Sequence, residues 1–210
     1  MTDVRQQVSA VRRTLGSRTL EAGEARVSTI SQVYDTGIDD MWEVVTSPER
    51  IGRWFLPITG ELKQGGHYQL EGNAGGTITR CDKPHGYAAT WEYGGEVSWI
   101  EVRLTPSAGG TRFELEHVAH VKDEFWEQFG PSATGIGWDM GLMGLAMYLS
   151  DPASPPPDAE AKAAWATSPD GLLLMRLSTD AWAAAAVADG EDPSVAAARA
   201  DRCYGVYTGG

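Results

Sequence analysis

The side chains best suited to acid–base chemistry are four histidines, His67, His85, His117 and His120. His117 shares strand parity with Phe113 and Leu115, and side chains two apart on a strand face the same way, so it points with them toward an interior. There a shifted pKa would make it a general acid or base. A core histidine hydrogen-bonded to a neighbour fits the same pattern. His120 has the opposite parity and follows the strand end, so the two do not share a metal. No HExxH, facial triad or other ligand spacing occurs, and no metal ligand is assigned. The glycine-rich stretch 72–77 lacks the lysine and serine or threonine of a P-loop and runs into a strand rather than a helix, so the chain is not itself an ATPase. GxSxG is absent, and no serine or cysteine occupies a nucleophile motif. His117 is therefore the one catalytic candidate. No cofactor is implied, and binding without catalysis is the expectation.

The aromatic residues carry more information. Trp54, Tyr68, Trp91, Phe113 and Trp138 could wall a pocket, because ligand sites are mostly apolar with a few directed polar groups. Eight tryptophans exceed what a bland core requires. With Leu115, His117 and the flexible Met140, Met143 and Met147 they make the expected ligand-binding set, although any single ring also serves as packing. Trp99 shares parity with Glu101 and Arg103, which places it on the outer face. Glu92, Glu101, Glu114 and Glu116 read as a solvated sheet face.

These residues need elements to hold them. Residues 26–34 mix β-branched and polar types in near alternation and form a first strand. Thr36 and Asp39 fit a capping box for a helix carrying Ile38, Met41, Trp42 and Val45 on one face. Ser47, Pro48 and Glu49 start a second short helix. Glycine pairs at 65–66, 75–76, 94–95 and 109–110 punctuate an antiparallel meander with strands over 67–70, 77–81, 87–93, 97–104 and 111–117. A short helix is expected over 123–129 and a long one over 131–150, apolar nearly all round, with Gly137, Gly141 and Gly144 letting its backbone approach a curved sheet. The proline-rich linker 151–157 separates this unit from an alanine-rich helical extension, 158–210, too small to hold a core alone. It should dock on the main unit or on a second subunit as a homodimer. Helix starts within it are marked by Ser168-Pro169 and by Asp192-Pro193, the last helix ending before Gly205. Residues 1–23 read as a polar helical leader.

A chain of 210 residues with 42% hydrophobic content can build one packed core. Its net charge of -12 repels phosphate backbones and anionic headgroups, which argues against nucleic-acid and membrane partners. Cys81 and Cys203 form no CxxC, the amino-terminal stretch lacks the apolar run of a secretory signal, and the apolar stretch 136–149 is shorter than the roughly 20 residues a membrane span needs. A cytoplasmic location is expected.

The order of elements, with Tyr34-Asp35, Ile38 to Trp42, Thr46 to Ile51, Arg53-Trp54-Phe55, Gly65-Gly66, Thr90-Trp91-Glu92, 110–117 and Gly137-Trp138, resembles the START-like (SRPBCC) superfamily over residues 24–150. Within it, the chain is most similar to the activator of heat-shock-protein-90 ATPase homologue family. The resemblance implies an α+β helix-grip fold, with a seven-stranded-type curved antiparallel sheet wrapped around a long carboxy-terminal helix and a cavity between them. It further implies a small hydrophobic or amphipathic ligand, as in some members of the superfamily. A chaperone partner, and with it a role in the stress response, follows from the family namesake. A cyclase- or hydratase-type enzyme using His117 in the same cavity is the third possibility, because fold does not decide function.

Overall fold

The computed structural model describes residues 3–209, with all their side chains except that of Asp123. Met1 and Thr2 of the expected leader and Gly210 of the expected extension lie outside the described residues. In chain order the elements are α1 (Val4–Ala10), β1 (Arg12–Leu20), β2 (Gly23–Tyr34), α2 (Ile38–Thr46), α3 (Pro48–Trp54), β3 (Ile58–Gly60), β4 (His67–Leu70), β5 (Gly75–Asp82), β6 (Gly86–Tyr93), β7 (Glu96–Ser107), β8 (Gly110–Ala119), α4 (Asp123–Phe129), α5 (Ser132–Ser150), α6 (Ala159–Ala166), α7 (Pro169–Ala188) and α8 (Pro193–Thr208). Among the described residues the strands form one eight-stranded antiparallel sheet in the order β1-β2-β8-β7-β6-β5-β4-β3. The meander follows from its turns: Gly94 and Gly95, with φ of 61° and 84°, join β6 to β7 in a conformation that costs other residues more.

Inner-face side chains of the sheet share one core with α2, α3 and α5. Ile30, Val102, Phe113 and Leu115 meet Met41, Val44, Leu142 and Leu145 there. This is an α+β architecture, with a curved antiparallel sheet against a long helix.

The leader differs from its expected form. It is helical only through Ala10, and residues 12–20 instead pair with β2, Leu20 lying opposite Gly23. The inward face of this edge strand carries Arg13 as well as Leu15, and most of its other residues are polar, so its sequence gives no clear period-two alternation of apolar and polar residues. The sheet therefore has eight strands rather than the seven implied by resemblance. Arg18 of this strand also covers Glu116, its Nη2 2.5 Å from Oε1, so Glu116 is buried rather than solvated. The expected capping box is replaced: Gly37 is the cap residue of α2 without a side-chain bond, and the Thr36 hydroxyl donates to Asp40 Oδ2 at 2.9 Å. In the tail, α8 continues through Gly205 to Thr208 and ends on Gly209 in the left-handed conformation. Helix α7 starts as its sequence predicts, with Ser168 accepting from the Gly171 amide and Pro169 in the first turn.

One carboxylate interrupts the apolar α5. Asp139 is 2% exposed and receives Arg13 in two bonds, Nη2 to Oδ1 at 2.5 Å and Nε to Oδ2 at 3.1 Å. The Ser178 hydroxyl (2.5 Å) and the Trp182 indole (3.0 Å) also donate to Oδ2. Arg13 Nη1 donates to the carbonyls of Val8 and Val11. One ion pair thus ties α1, β1, α5 and α7, and its saturation with hydrogen bonds offsets the cost of burying charge. No helix among the described residues is long and apolar enough to cross a membrane.

Candidate functional site

A cavity of about 180 Å³ lies between α2, α3 and α5 on one side and the inner faces of β4 to β8 on the other. Its walls follow from strand register. Tyr87 stands opposite Cys81 on β5 and Val102 on β7, and Leu115 stands opposite Val102 from β8. From α5 come Trp138, Gly141 and Leu142, which share a face at helical spacing. Trp91 and Trp138 meet with ring centroids 5.0 Å apart, and Phe55 stacks on Trp138 at 6.4 Å. None of the lining side chains is charged.

Several polar atoms around the cavity are already bonded to backbone. The Trp54 indole donates to the Val44 carbonyl at 3.0 Å, the Tyr68 hydroxyl to Thr90 at 2.7 Å and the Thr46 hydroxyl to Trp42 at 2.6 Å. Burial raises the phenols of Tyr68 and Tyr87 above their ordinary value, so both stay protonated as donors.

His117 lies behind the wall. The Trp138 indole donates to His117 Nδ1 at 3.4 Å, which leaves the proton on Nε2, 2.9 Å from the Ser98 hydroxyl, and Ser98 donates onward to the Trp91 carbonyl at 3.0 Å. Desolvation pushes the imidazole pKa down to about 4. A neutral ring with both nitrogens engaged is placed to hold Trp138 and the Trp91 backbone rather than to move a proton. The other histidines lie elsewhere: His67 Nδ1 is 3.0 Å from the Thr77 hydroxyl, and His120 packs edge-on against Trp99 on the outer face. Among the described residues no three His, Cys, Asp or Glu side chains gather to hold a metal ion.

Of the residues expected to contact a ligand, Trp54, Tyr68, Trp91, Phe113, Leu115 and Trp138 line the cavity. The methionines do not. Met140 and Met147 are 37% and 43% exposed, and Met143 is buried against Val4, Val8 and Leu174. At 100° per residue, Met143 sits about 200° around α5 from Gly141, so it faces α1 and α7. Of the α5 glycines, Gly135, Gly141 and Gly144 lie against Trp182, Phe55 and Trp54 rather than the sheet, and Gly137 faces open space. A Cβ on Gly144 would come 2.2 Å from the Trp54 carbonyl oxygen, whereas one on Gly141 would touch only the Phe55 ring, at 3.4 Å. Gly144→Ala should therefore lower stability by about 1–3 kcal/mol through overpacking. Gly141→Ala should raise it by up to about 1 kcal/mol through helix propensity. Thermal unfolding of the two variants checks the opposite signs.

Sequence reasoning missed Tyr87 and Cys81 as lining residues and Arg13–Asp139 as the clamp behind the site. A lone carboxylate in an apolar helix was the available signal for the clamp, since buried charges need partners.

Residues 35–150 match the family model described as Activator of Hsp90 ATPase homolog 1-like protein. The solution structure of CalU16 from Micromonospora echinospora is 38% identical, with a TM-score of 0.68 over 87% of this chain and 97% of that one. Its crystal structure is 36% identical, with a TM-score of 0.64 over 84% and 98%. The likeness to CalU16 thus extends beyond the family-matched segment. MLL2253 from Mesorhizobium loti shares the fold at 16% identity, with a TM-score of 0.53 over 61% of this chain and 99% of that one. No curated protein matches the chain.

Proposed function

Since the chain belongs to the Activator of Hsp90 ATPase homolog 1-like family, we propose that it is a non-catalytic binding protein that takes a small apolar or amphipathic molecule between sheet and helix. The observation that carries this reading is the uncharged, ring-lined cavity of about 180 Å³. An apolar cavity of ~150 Å³ is large enough for benzene. His117, with both nitrogens committed, supports binding over catalysis.

Ethylbenzene titrated into the protein and followed by ligand-observed NMR tests the reading. Saturable binding is expected. Gly141→Leu, which extends a side chain toward Phe55 and the cavity, should weaken it by about tenfold or more, the equivalent of ~1.4 kcal/mol. Equal binding by the wild type and this variant would place the probe elsewhere and sink the assignment. The family description favours a second reading, a protein contact that stimulates the Hsp90 ATPase. Unchanged ATPase rates at saturating protein would dispose of it.

A further inference from the structure

Three residues that line the cavity carry side-chain donors with no hydrogen bond to any described residue: the indole N–H groups of Trp42 and Trp91 and the hydroxyl of Tyr87. None of the three is sealed, because the buried polar atoms without partners are Arg53 Nε and Glu191 Oε2 instead. Trp42 is only 5% exposed as a residue. An indole can donate but not accept. Where these donors open on the cavity, a pure hydrocarbon there would strip water from them and give nothing back, which is unfavourable. A carboxylate would find donors but no cation, since no lining side chain is charged, and burying an unpaired charge is costlier still. The protein's net charge of -12 adds to that exclusion.

We propose that the ligand is an uncharged molecule with a body of about one aromatic ring and one or two acceptor oxygens, as in an aromatic ketone, which rests on the cavity being the binding site. The rings of Trp91, Trp138 and Phe55 take the flat body, and Tyr87 and the two indoles take the oxygens. Selectivity then comes from hydrogen-bond polarity rather than from charge.

The test compares acetophenone, ethylbenzene and benzoate, which are similar in size and differ in acceptor and charge, on the full chain at pH 7.5. Tyr87→Phe deletes one oxygen and keeps the ring. It should weaken acetophenone by about fivefold, the range of one neutral hydrogen bond, and change ethylbenzene by less than about twofold. Trp91→Phe, a second variant at a different element position, should shift the ratio of the two affinities in the same direction. Benzoate should bind more weakly than acetophenone. Variants that weaken both neutral probes alike, or neither, overturn the ligand class while leaving the cavity as the site, and so does benzoate binding more tightly than the ketone. If neither neutral probe binds the wild type, the ligand class and the cavity reading fall together.

Discussion

Asp139→Ala is expected to destabilise the protein by about 3–5 kcal/mol, since removing one partner leaves the other buried and uncompensated. Arg13 is 4% and Asp139 2% exposed by side chain, so water cannot take over the lost contact. Alanine also deprives the Ser178 hydroxyl and the Trp182 indole of their acceptor. With total stabilities of ~5–15 kcal/mol usual for domains, the variant should be close to unfolding at body temperature. Arg13→Met should have a similar cost. The double variant Arg13→Met, Asp139→Leu removes both charges and should cost less than either single change, a coupling visible in a double-mutant cycle by urea denaturation. A single-variant cost under about 1 kcal/mol would refute the clamp.

The second large effect is a loss of stability on acidification. His117 has an ordinary value of 6.5 when unfolded and about 4 when folded, so between those pH values the unfolded state binds the extra proton. Its contribution is fully present above pH 6.5, falls as pH drops through that window and is gone near pH 4. At 1.36 kcal/mol per unit, the whole window is worth about 3 kcal/mol. Protonation would also set a second N–H against the Trp138 indole donor at Nδ1. His117→Gln keeps a neutral group that can hydrogen-bond. The difference between wild type and this variant, measured by urea midpoints at pH 7.5 and 4.5, isolates the imidazole from the carboxylates that titrate in the same range. A variant as acid-sensitive as the wild type would remove His117 from the account.

Local chemistry made β4 to β8, α4, α5 and the start of α7 readable, because glycine turns, period-two strands and Ser-Pro helix starts act over a few residues. The aromatic walls were readable for the same reason: parity on a strand decides whether Phe113 and Leu115 face inward. What escaped depended on distance or position. β1 is a polar edge strand, and nothing in its own residues distinguishes pairing with β2 from remaining helical. Met143 looked like a lining residue because α5 is apolar on nearly every side, and only the placement of α1 and α7 decides which side faces the cavity. The partners of Asp139 come from Arg13, 126 residues away, and from Ser178 and Trp182, and no local pattern encodes such a meeting. The unpaired donors of Trp42, Trp91 and Tyr87 are a property of the assembled wall, not of any segment.

The reach of the Arg13–Asp139 pair has a consequence for synthesis. β1 cannot be locked until α5 has left the ribosome, and Ser178 and Trp182 complete the lock only once α7 has followed. Translation at ~5–20 residues per second leaves β1 waiting for several seconds with an unpaired outer edge. The arginines on that edge, at 12, 13 and 18, would meet their counterparts if two nascent chains tried to pair there. Mutual repulsion thus protects the strand during the interval before its own carboxylate arrives.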